Sequence, residues 1–188
     1  MIRAAVIGGI GSGKTFVANL FKCPVFNADN EVKIIYKTNK ACFNKLKKIL
    51  PSYIKSFPIK KKELAEAISK DKKNLKKISY IVHPLVRQKM NLFLKKNKNK
   101  KYVILDIPLL LEKKINNKKD ILVFVQSNKQ DIEKRLKKRI GFNSKLLKKF
   151  RTIQLNLAYK KRKSHYILKN KFTEKSVKKE IKKILSQI

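Results

Sequence analysis

The feature that most constrains this chain is a glycine-rich stretch close to its start. Residues Gly8 to Thr15 read Gly-Gly-Ile-Gly-Ser-Gly-Lys-Thr, an unbroken G-x-x-x-x-G-K-[ST] pattern that follows the apolar run Ala4–Ile7 and precedes an amphipathic stretch. The pattern predicts a strand that turns sharply into a helix while backbone N–H groups converge on phosphate oxygens. We therefore expect a nucleotide-binding protein built on a strand, a phosphate loop and a helix.

Each side chain of the loop has an expected task. Lys14 is predicted to reach the outer phosphates as a point charge, and the hydroxyl group of Thr15 to hold a magnesium ion that bridges them. The residues predicted to bind the nucleotide here are Gly9, Gly11, Ser12, Gly13, Lys14 and Thr15.

Charge gives a second, weaker indication. The 188 residues include 50 Lys+Arg against 12 Asp+Glu, a formal net charge of +38, which is typical of proteins that bind nucleic acids or anionic surfaces. Only six of these cations are arginines, the lysines are spread along the whole chain, and aromatic platforms interleaved with arginine are missing. We therefore expect no dedicated nucleic-acid binding, although the field would attract a polyphosphate substrate.

Cysteine usage and hydropathy indicate the compartment. Cys23 and Cys42 form no metal-binding pattern and are expected to stay reduced. No apolar stretch approaches the ~18 residues of a membrane span, and the apolar start of the chain is too short for a secretion signal. We expect a cytoplasmic protein without a membrane partner, present as a monomer or weak oligomer.

Alternating strand-length and helix-length patterns predict an α/β fold, with a parallel five-stranded sheet flanked by helices as in P-loop NTPases. We expect one domain over 1–188, with a core at about 1–30 and 102–188, an inserted helical substrate-binding lobe at about 31–101 and a lid at about 130–160. Residues 173–188 are predicted to form a closing helix, and Pro51, Pro58 and Pro84 to mark helix boundaries. The predicted strands are Ala4–Ile7, Val25–Asn27, Val103–Ile107, Ile121–Val125 and Tyr166–Leu168.

Three further groups fit a small-molecule kinase. Asp29 follows the second strand, so it could accept a proton from an acceptor hydroxyl or help orient magnesium, or it could be a helix cap. Asp106 ends the third strand and is a candidate metal-side acid or a member of a strand-end network. Arg135 and Arg139 lie four residues apart on one predicted helix, where they suit a phosphate-covering lid or are solvated charges.

Several segments together give a specific resemblance over nearly the whole chain. Their order resembles that of the dephospho-CoA kinase family, and its most telling elements are the His-Pro-x-x-Arg and D-x-P-L-L-x-E segments. The segments are Gly8 to Thr15, Asn27-Ala28-Asp29, His83-Pro84-Leu85-Val86-Arg87, Asp106 to Glu112, Gln130 to Arg139, Arg151 to Gln154 and Tyr166 to Asn170.

The resemblance implies transfer of the γ-phosphoryl group of ATP to the 3′-hydroxyl group of dephospho-CoA, with ATP and Mg²⁺ as cofactors. It implies catalytic roles for Lys14, for Asp29 beside the acceptor hydroxyl and for Arg139 in the lid. Asn170 would lie near the adenine, and Asp106 would share the metal with Thr15. The implied acceptor-binding residues are His83, Arg87, Leu110 and Lys61.

The chain departs from the family pattern at Asn27, where an acid is usual, at Lys169, and at Lys61, which replaces an arginine. Two alternatives stay open on the residues alone. A nucleoside monophosphate kinase would share the loop and lid arginines but has no reason to carry the His-Pro-x-x-Arg segment. A P-loop nucleic-acid-binding ATPase would account for the charge.

Overall fold

A computed structural model of the protein describes residues 1–138 and 144–188, and at positions 145, 146, 149 and 150 it describes the helical backbone alone. The strands are β1 (Ile2–Ile7), β2 (Val25–Asn27), β3 (Tyr102–Asp106), β4 (Ile121–Gln126) and β5 (Tyr166–Lys169). The helices are α1 (Lys14–Leu20), α2 (Ala28–Thr38), α3 (Lys40–Ile49), α4 (Lys61–Lys70), α5 (Lys72–Lys96), α6 (Lys129–Lys137), α7 (Ser144–Ile153), α8 (Leu157–Arg162) and α9 (Glu174–Leu185).

The five strands form one sheet in the order β2-β3-β1-β4-β5, and every neighbouring pair is parallel. The central strands are buried along most of their length, as their continuous apolar character predicts for a sheet covered on both faces. The predicted five-stranded parallel sheet with flanking helices is therefore confirmed. All five strand positions were found from the sequence, with ends that differ by at most two residues.

The chain divides into two compact units. The core unit comprises Met1–Asn27 and Asn97–Ile188 and contains the whole sheet. Its main apolar cluster joins the sheet to α1 and α9, and the closing helix contributes Val177, Ile181 and Ile184, which lie on one face. Burial of this apolar stripe, worth roughly 25 cal/mol per Å², is what fastens the last helix to the sheet.

The helical unit, Ala28–Lys96, contains α2 to α5 and no strand in its described residues. The long helix α5 packs against α2, α3 and α4, and Asn74 near its start donates to the Ala67 carbonyl group of α4 at 2.9 Å. Asn39 caps α3 by accepting from the Cys42 N–H group at 2.8 Å. The unit has an apolar cluster of its own, which includes Ile35, Leu46, Ile54, Ile78 and Val82.

Pro84 does not mark a helix boundary, and this prediction was wrong. Pro84 lies inside α5, which continues for twelve residues to Lys96. An interior proline loses one backbone hydrogen bond, at a cost of ~3 kcal/mol. Packing outweighs this cost, because Ile78 and Val82 before the proline and Met90 after it are all buried.

No helix within the described parts of the chain is both long and apolar enough to cross a membrane.

Candidate active site

The phosphate loop joins β1 to α1 at the carboxyl end of the sheet. Gly13 precedes the first helical residue with a φ of 83°, in the left-handed region that favours glycine. A β-carbon at this position would lie 2.5 Å from Asn170 Nδ2 and 2.9 Å from the Phe172 ring. Both the backbone conformation and the close neighbours therefore require glycine here.

Lys14 is the first residue of α1, and its side chain folds back over the phosphate loop. Its Nζ donates to the Gly9 carbonyl oxygen at 2.8 Å and to the Gly8 carbonyl oxygen at 3.3 Å. The ammonium group is thus held against the loop backbone. It brings one positive charge to the place where the sequence predicts phosphate oxygens.

Three polar side chains meet beside the loop. Thr15 Oγ1 donates to Asp106 Oδ2 at 2.5 Å, and Asn27 Nδ2 donates to the same oxygen at 2.6 Å. The register of the sheet causes this meeting, because Asn27 pairs with Asp106 at the last position of β2 and β3. The side chain of Asp106 is buried, with the residue 2% exposed, so its carboxylate is held by these donors within the protein.

Asn170 follows β5 and is tied to the loop. Its Nδ2 donates to the Ser12 carbonyl oxygen at 2.8 Å, and its Oδ1 accepts from the Phe172 N–H group at 2.8 Å. The Ser127 hydroxyl group donates to the same Ser12 carbonyl oxygen at 2.8 Å. Asn170 is 3% exposed and both ends of its amide are engaged inside the protein, which fits a support of the loop better than direct contact with a base.

Arg135 and Phe172 form a contact that sequence reasoning missed. The Arg135 guanidinium group lies 4.4 Å from the centroid of the Phe172 ring, within cation–π range. Phe172 has a φ of 58° and brings its ring beside Gly13. No motif spacing in the sequence indicates a role for Phe172. Its only signal is its place two positions after Asn170. Arg139 lies outside the described residues.

The remaining predicted site residues belong to the helical unit. Asp29 is exposed in the first turn of α2, and Lys61 is exposed at the first position of α4. His83 and Arg87 are four residues apart on α5, so they share one face, and Arg87 is the more exposed. Arg87 also lines a shallow depression of about 520 Å³ along α5, with Pro84, Gln88, Asn91, Leu92 and Lys95.

Leu110, which the resemblance predicts to bind the acceptor, is enclosed by the protein. It lies in the connection after β3 and is 1% exposed, with its side chain in the interior of the core unit. Its side chain therefore contributes packing at this position, and its contact with the acceptor stays a prediction.

The assembled groups suit polyphosphate chemistry. Backbone amides, an ammonium group, a hydroxyl group and one carboxylate meet at the loop, which can bind phosphate oxygens and one hard cation. Within 1–138 and 144–188, no cluster of three or more His, Cys, Asp or Glu side chains forms a metal cage.

Comparisons with known proteins agree with this chemistry. The family model described as dephospho-CoA kinase matches residues 3–176. A dephospho-CoA kinase of Wolbachia pipientis wMel is 30% identical over 189 residues, which cover 98% of this chain and 96% of the relative.

Two solved structures have the same fold. A protein of Thermus thermophilus superposes with a TM-score of 0.78 at 24% identity and covers 100% of this chain and 97% of its own. A dephospho-CoA kinase from Campylobacter jejuni gives a TM-score of 0.65 at 20% identity, with 100% and 98% covered. The family match over nearly the full length, together with the intact phosphate loop, confirms the resemblance drawn from the motifs: the chain belongs to the dephospho-CoA kinase family of ATP-dependent phosphotransferases.

Proposed function

We propose that this protein transfers the γ-phosphoryl group of ATP to the 3′-hydroxyl group of dephospho-CoA and so forms coenzyme A. The observation that carries the proposal is the meeting of Thr15 and Asp106, 2.5 Å apart beside an intact phosphate loop, in a chain of this family. We prefer dephospho-CoA kinase activity to that of a nucleoside monophosphate kinase or a nucleic-acid-dependent ATPase. The reason is that the family match covers the His83–Arg87 segment as well as the phosphate loop.

Magnesium fits the donor set at the loop. Thr15 and Asp106 offer a hydroxyl and a carboxylate oxygen, and Mg²⁺ usually takes one or two such ligands and completes its shell with phosphates and water. When bound, the ion neutralises charge on the β- and γ-phosphates. Asn27 keeps Asp106 oriented toward Thr15, since its amide donates to the same carboxylate oxygen.

The protein's own groups then have mainly positioning roles. Lys14 and the loop amides hold the phosphates, and the support from Asn170 fixes the loop. His83, Arg87 and Lys61 are proposed to bind the acceptor, with the guanidinium group of Arg87 offering paired donors to a phosphate. Arg139 is proposed to cover the transferred group.

The transfer itself needs one proton acceptor. The 3′-oxygen of the acceptor forms a bond to the γ-phosphorus, the bond from that phosphorus to the bridging oxygen breaks, and ADP leaves with the electron pair. The hydroxyl proton passes to the Asp29 carboxylate. Catalysis comes chiefly from alignment and charge neutralisation, because phosphoryl transfer leaves little covalent work for the protein.

An acceptor panel tests the proposal. ADP release is measured with ATP and magnesium in the presence of dephospho-CoA, AMP, CMP, single-stranded DNA or coenzyme A, whose 3′-position is already phosphorylated. We expect rapid ADP release with dephospho-CoA alone. Preference for a monophosphate, or ADP release that depends on DNA, would replace the proposal by the corresponding alternative.

The Asp29→Asn variant tests the proton acceptor. We expect kcat to fall by roughly 10²- to 10⁴-fold, the usual contribution of a general base, while binding of a non-hydrolysable ATP analogue stays within about twofold. Glu31→Gln in the same helical turn is the matched control and should retain its kcat. Near-normal turnover of Asp29→Asn would remove Asp29 from the mechanism.

A further inference from the structure

A buried ion pair lies in the core unit outside the site described above. Lys160 Nζ of α8 and Glu112 Oε1, in the connection after β3, are 2.5 Å apart, and their side chains are 2% and 7% exposed. In the described part of the chain, Lys160 is the one lysine that is buried. Removing two charges from water costs several kcal/mol per ion, so a buried ion pair need not stabilise the fold. We therefore looked for another role of this pair.

The same carboxylate oxygen also holds the start of α8. Glu112 Oε1 accepts from the Leu155 N–H group at 3.0 Å, so Glu112 binds the segment 155–160 at both of its ends. Between them, Asn156 caps α8 by accepting from the Ala158 N–H group at 2.8 Å. Among the described residues, no hydrogen-bond partner lies near the buried Glu112 Oε2, so the known contacts of this carboxylate are all with the segment 155–160.

The segment places one leucine over the phosphate loop. A β-carbon built on Gly9 would lie 3.4 Å from Leu157 Cδ1 and 3.5 Å from Leu157 Cδ2. Leu157 is nevertheless 49% exposed, so core packing does not explain its position. It covers the glycine whose carbonyl group accepts from Lys14.

We propose that Glu112 and Lys160 are positioning residues that hold the segment 155–160 so that Leu157 covers the phosphate loop and shields the triphosphate of the bound nucleotide. An apolar side chain at this place excludes water and strengthens the attraction between Lys14 and phosphate oxygens, because charges interact more strongly at low effective dielectric. The inference rests on the proposed function only for the identity of the nucleotide.

Nucleotide binding without an acceptor provides the first test. The dissociation constant of a non-hydrolysable ATP analogue is measured by calorimetry for Leu157→Ala and for Ile153→Ala, which truncates another apolar residue with similar exposure at 41%. We expect Leu157→Ala to weaken binding on the order of tenfold, as for loss of most of a leucine's contact area, and Ile153→Ala to change it less than about twofold. Equal behaviour of the two variants would overturn the proposal.

A double-variant cycle tests whether the ion pair acts through Leu157. Glu112→Gln with Lys160→Met removes both buried charges together, which avoids leaving one of them unpaired. We expect this protein to bind the analogue more weakly, and we expect Leu157→Ala to add little when introduced into it. Independent, multiplicative effects on the dissociation constant would mean that the pair is merely structural and would contradict the proposal.

Two controls accompany these binding measurements. The unfolding temperature of each variant is measured, and if the double variant does not fold, the comparison of Leu157→Ala with Ile153→Ala decides. Because the readout is analogue binding, it is independent of the acceptor. If dephospho-CoA does not act as the acceptor while Leu157→Ala still weakens analogue binding, the proposed function is overturned and the role of Leu157 stands.

Discussion

One carbonyl group, that of Ser12, receives two side-chain donors from outside the phosphate loop. Asn170 Nδ2 and Ser127 Oγ each lie 2.8 Å from it, and they come from the segments that follow β5 and β4. The loop therefore depends on neighbouring strand ends for its shape as well as on its own glycines. Buried amides that are fully hydrogen-bonded are costly to remove, because the groups they leave behind lose their partners.

Replacement of Asn170 by alanine is expected to loosen the loop. The change leaves the Phe172 N–H group without its acceptor and the Ser12 carbonyl oxygen with one donor, so we expect a loss of about 1–3 kcal/mol in the free energy of unfolding. We also expect a severalfold higher KM for ATP. Ser127→Ala, which removes a single bond, should have the same sign and a smaller size; urea unfolding and steady-state kinetics compare the two.

Tyr36 of α2 gives the helical unit a pH dependence. Burial, and to a smaller extent the neighbouring Cys42, raises the pKa of the Tyr36 phenol from 10.0 to about 12. The folded state thus favours the neutral phenol. This contribution to stability is complete below pH 10 and is lost as the pH rises from 10 to 12.

Tyr36→Phe should remove that part of the alkaline loss. Two pKa units correspond to about 2–3 kcal/mol in total, of which somewhat under ~2 kcal/mol is lost by pH 11.5. Between pH 9.5 and 11.5 the stability of the original protein should therefore fall further than that of the variant by about 1.5–2 kcal/mol. Urea unfolding at several pH values measures the difference between the two proteins, and the titration of lysines is common to both. Parallel curves would show that Tyr36 titrates alike in the folded and unfolded states.

At single positions, the sequence indicated polar residues of interest where a motif or a strand end marks them. Asp106 was found because it ends an apolar run, and the structure brings it to Thr15. The donation from Asn27 to Asp106 was missed because it depends on strand pairing across 79 positions of sequence, which no local pattern carries. Phe172 was missed for a similar reason, since its contact with Arg135 arises only after folding.

Among the elements, α5 combines an interior proline with a largely buried face. Pro84 leaves the carbonyl group of Tyr80 without its intrahelical partner, and Tyr80 lies on an exposed part of the helix, with 84% of the residue exposed. Solvent can therefore reach this part of the backbone. The position of Pro84 between His83 and Arg87 means that any effect on backbone geometry falls within the proposed acceptor-binding segment.

Pro84→Ala restores the missing N–H donor, and we expect it to raise the free energy of unfolding by about 1–3 kcal/mol. Pro51→Ala, at a turn after α3, should not stabilise the protein. If the local geometry serves the acceptor, KM for dephospho-CoA rises in Pro84→Ala while KM for ATP does not. Thermal unfolding that occurs at a lower temperature than in the original protein would contradict the expected gain.

Strands were predictable here because fully buried parallel strands are short apolar runs bounded by polar residues. The helices of the region 31–101 were harder to delimit. The rule that proline ends a helix failed at Pro84, since local propensity is weaker than the packing of the residues on either side. The burial of Leu110 was not foreseen either, because the segment was interpreted by its resemblance and not by its packing.

At the scale of the whole molecule, the balance of 50 cationic against 12 anionic residues dominates the surface. The compact state brings these charges closer together than the unfolded chain does, and the resulting repulsion opposes folding. Few acidic side chains are present to offset it. The net charge of +38 therefore makes stability depend on ionic strength.

Salt should stabilise the protein. We expect the unfolding temperature to rise by several degrees between ~0.05 and ~0.5 M NaCl, over which the screening length falls from above 10 Å to a few ångströms. Chloride is preferred to sulfate, because sulfate also strengthens apolar burial. An unfolding temperature that is constant or falls over this range would show that the lysines do not repel one another effectively.

The order of the strands has a consequence for synthesis on the ribosome. Ile2 of β1 pairs with Tyr102 and Ala4 pairs with Ile121, so β1 waits for partners that are synthesised much later. Helices α2 to α5 are consecutive and can assemble their own cluster in the interval. The nascent chain therefore carries an unpaired apolar strand until β3 has been made, which favours binding by chaperones at the exit tunnel.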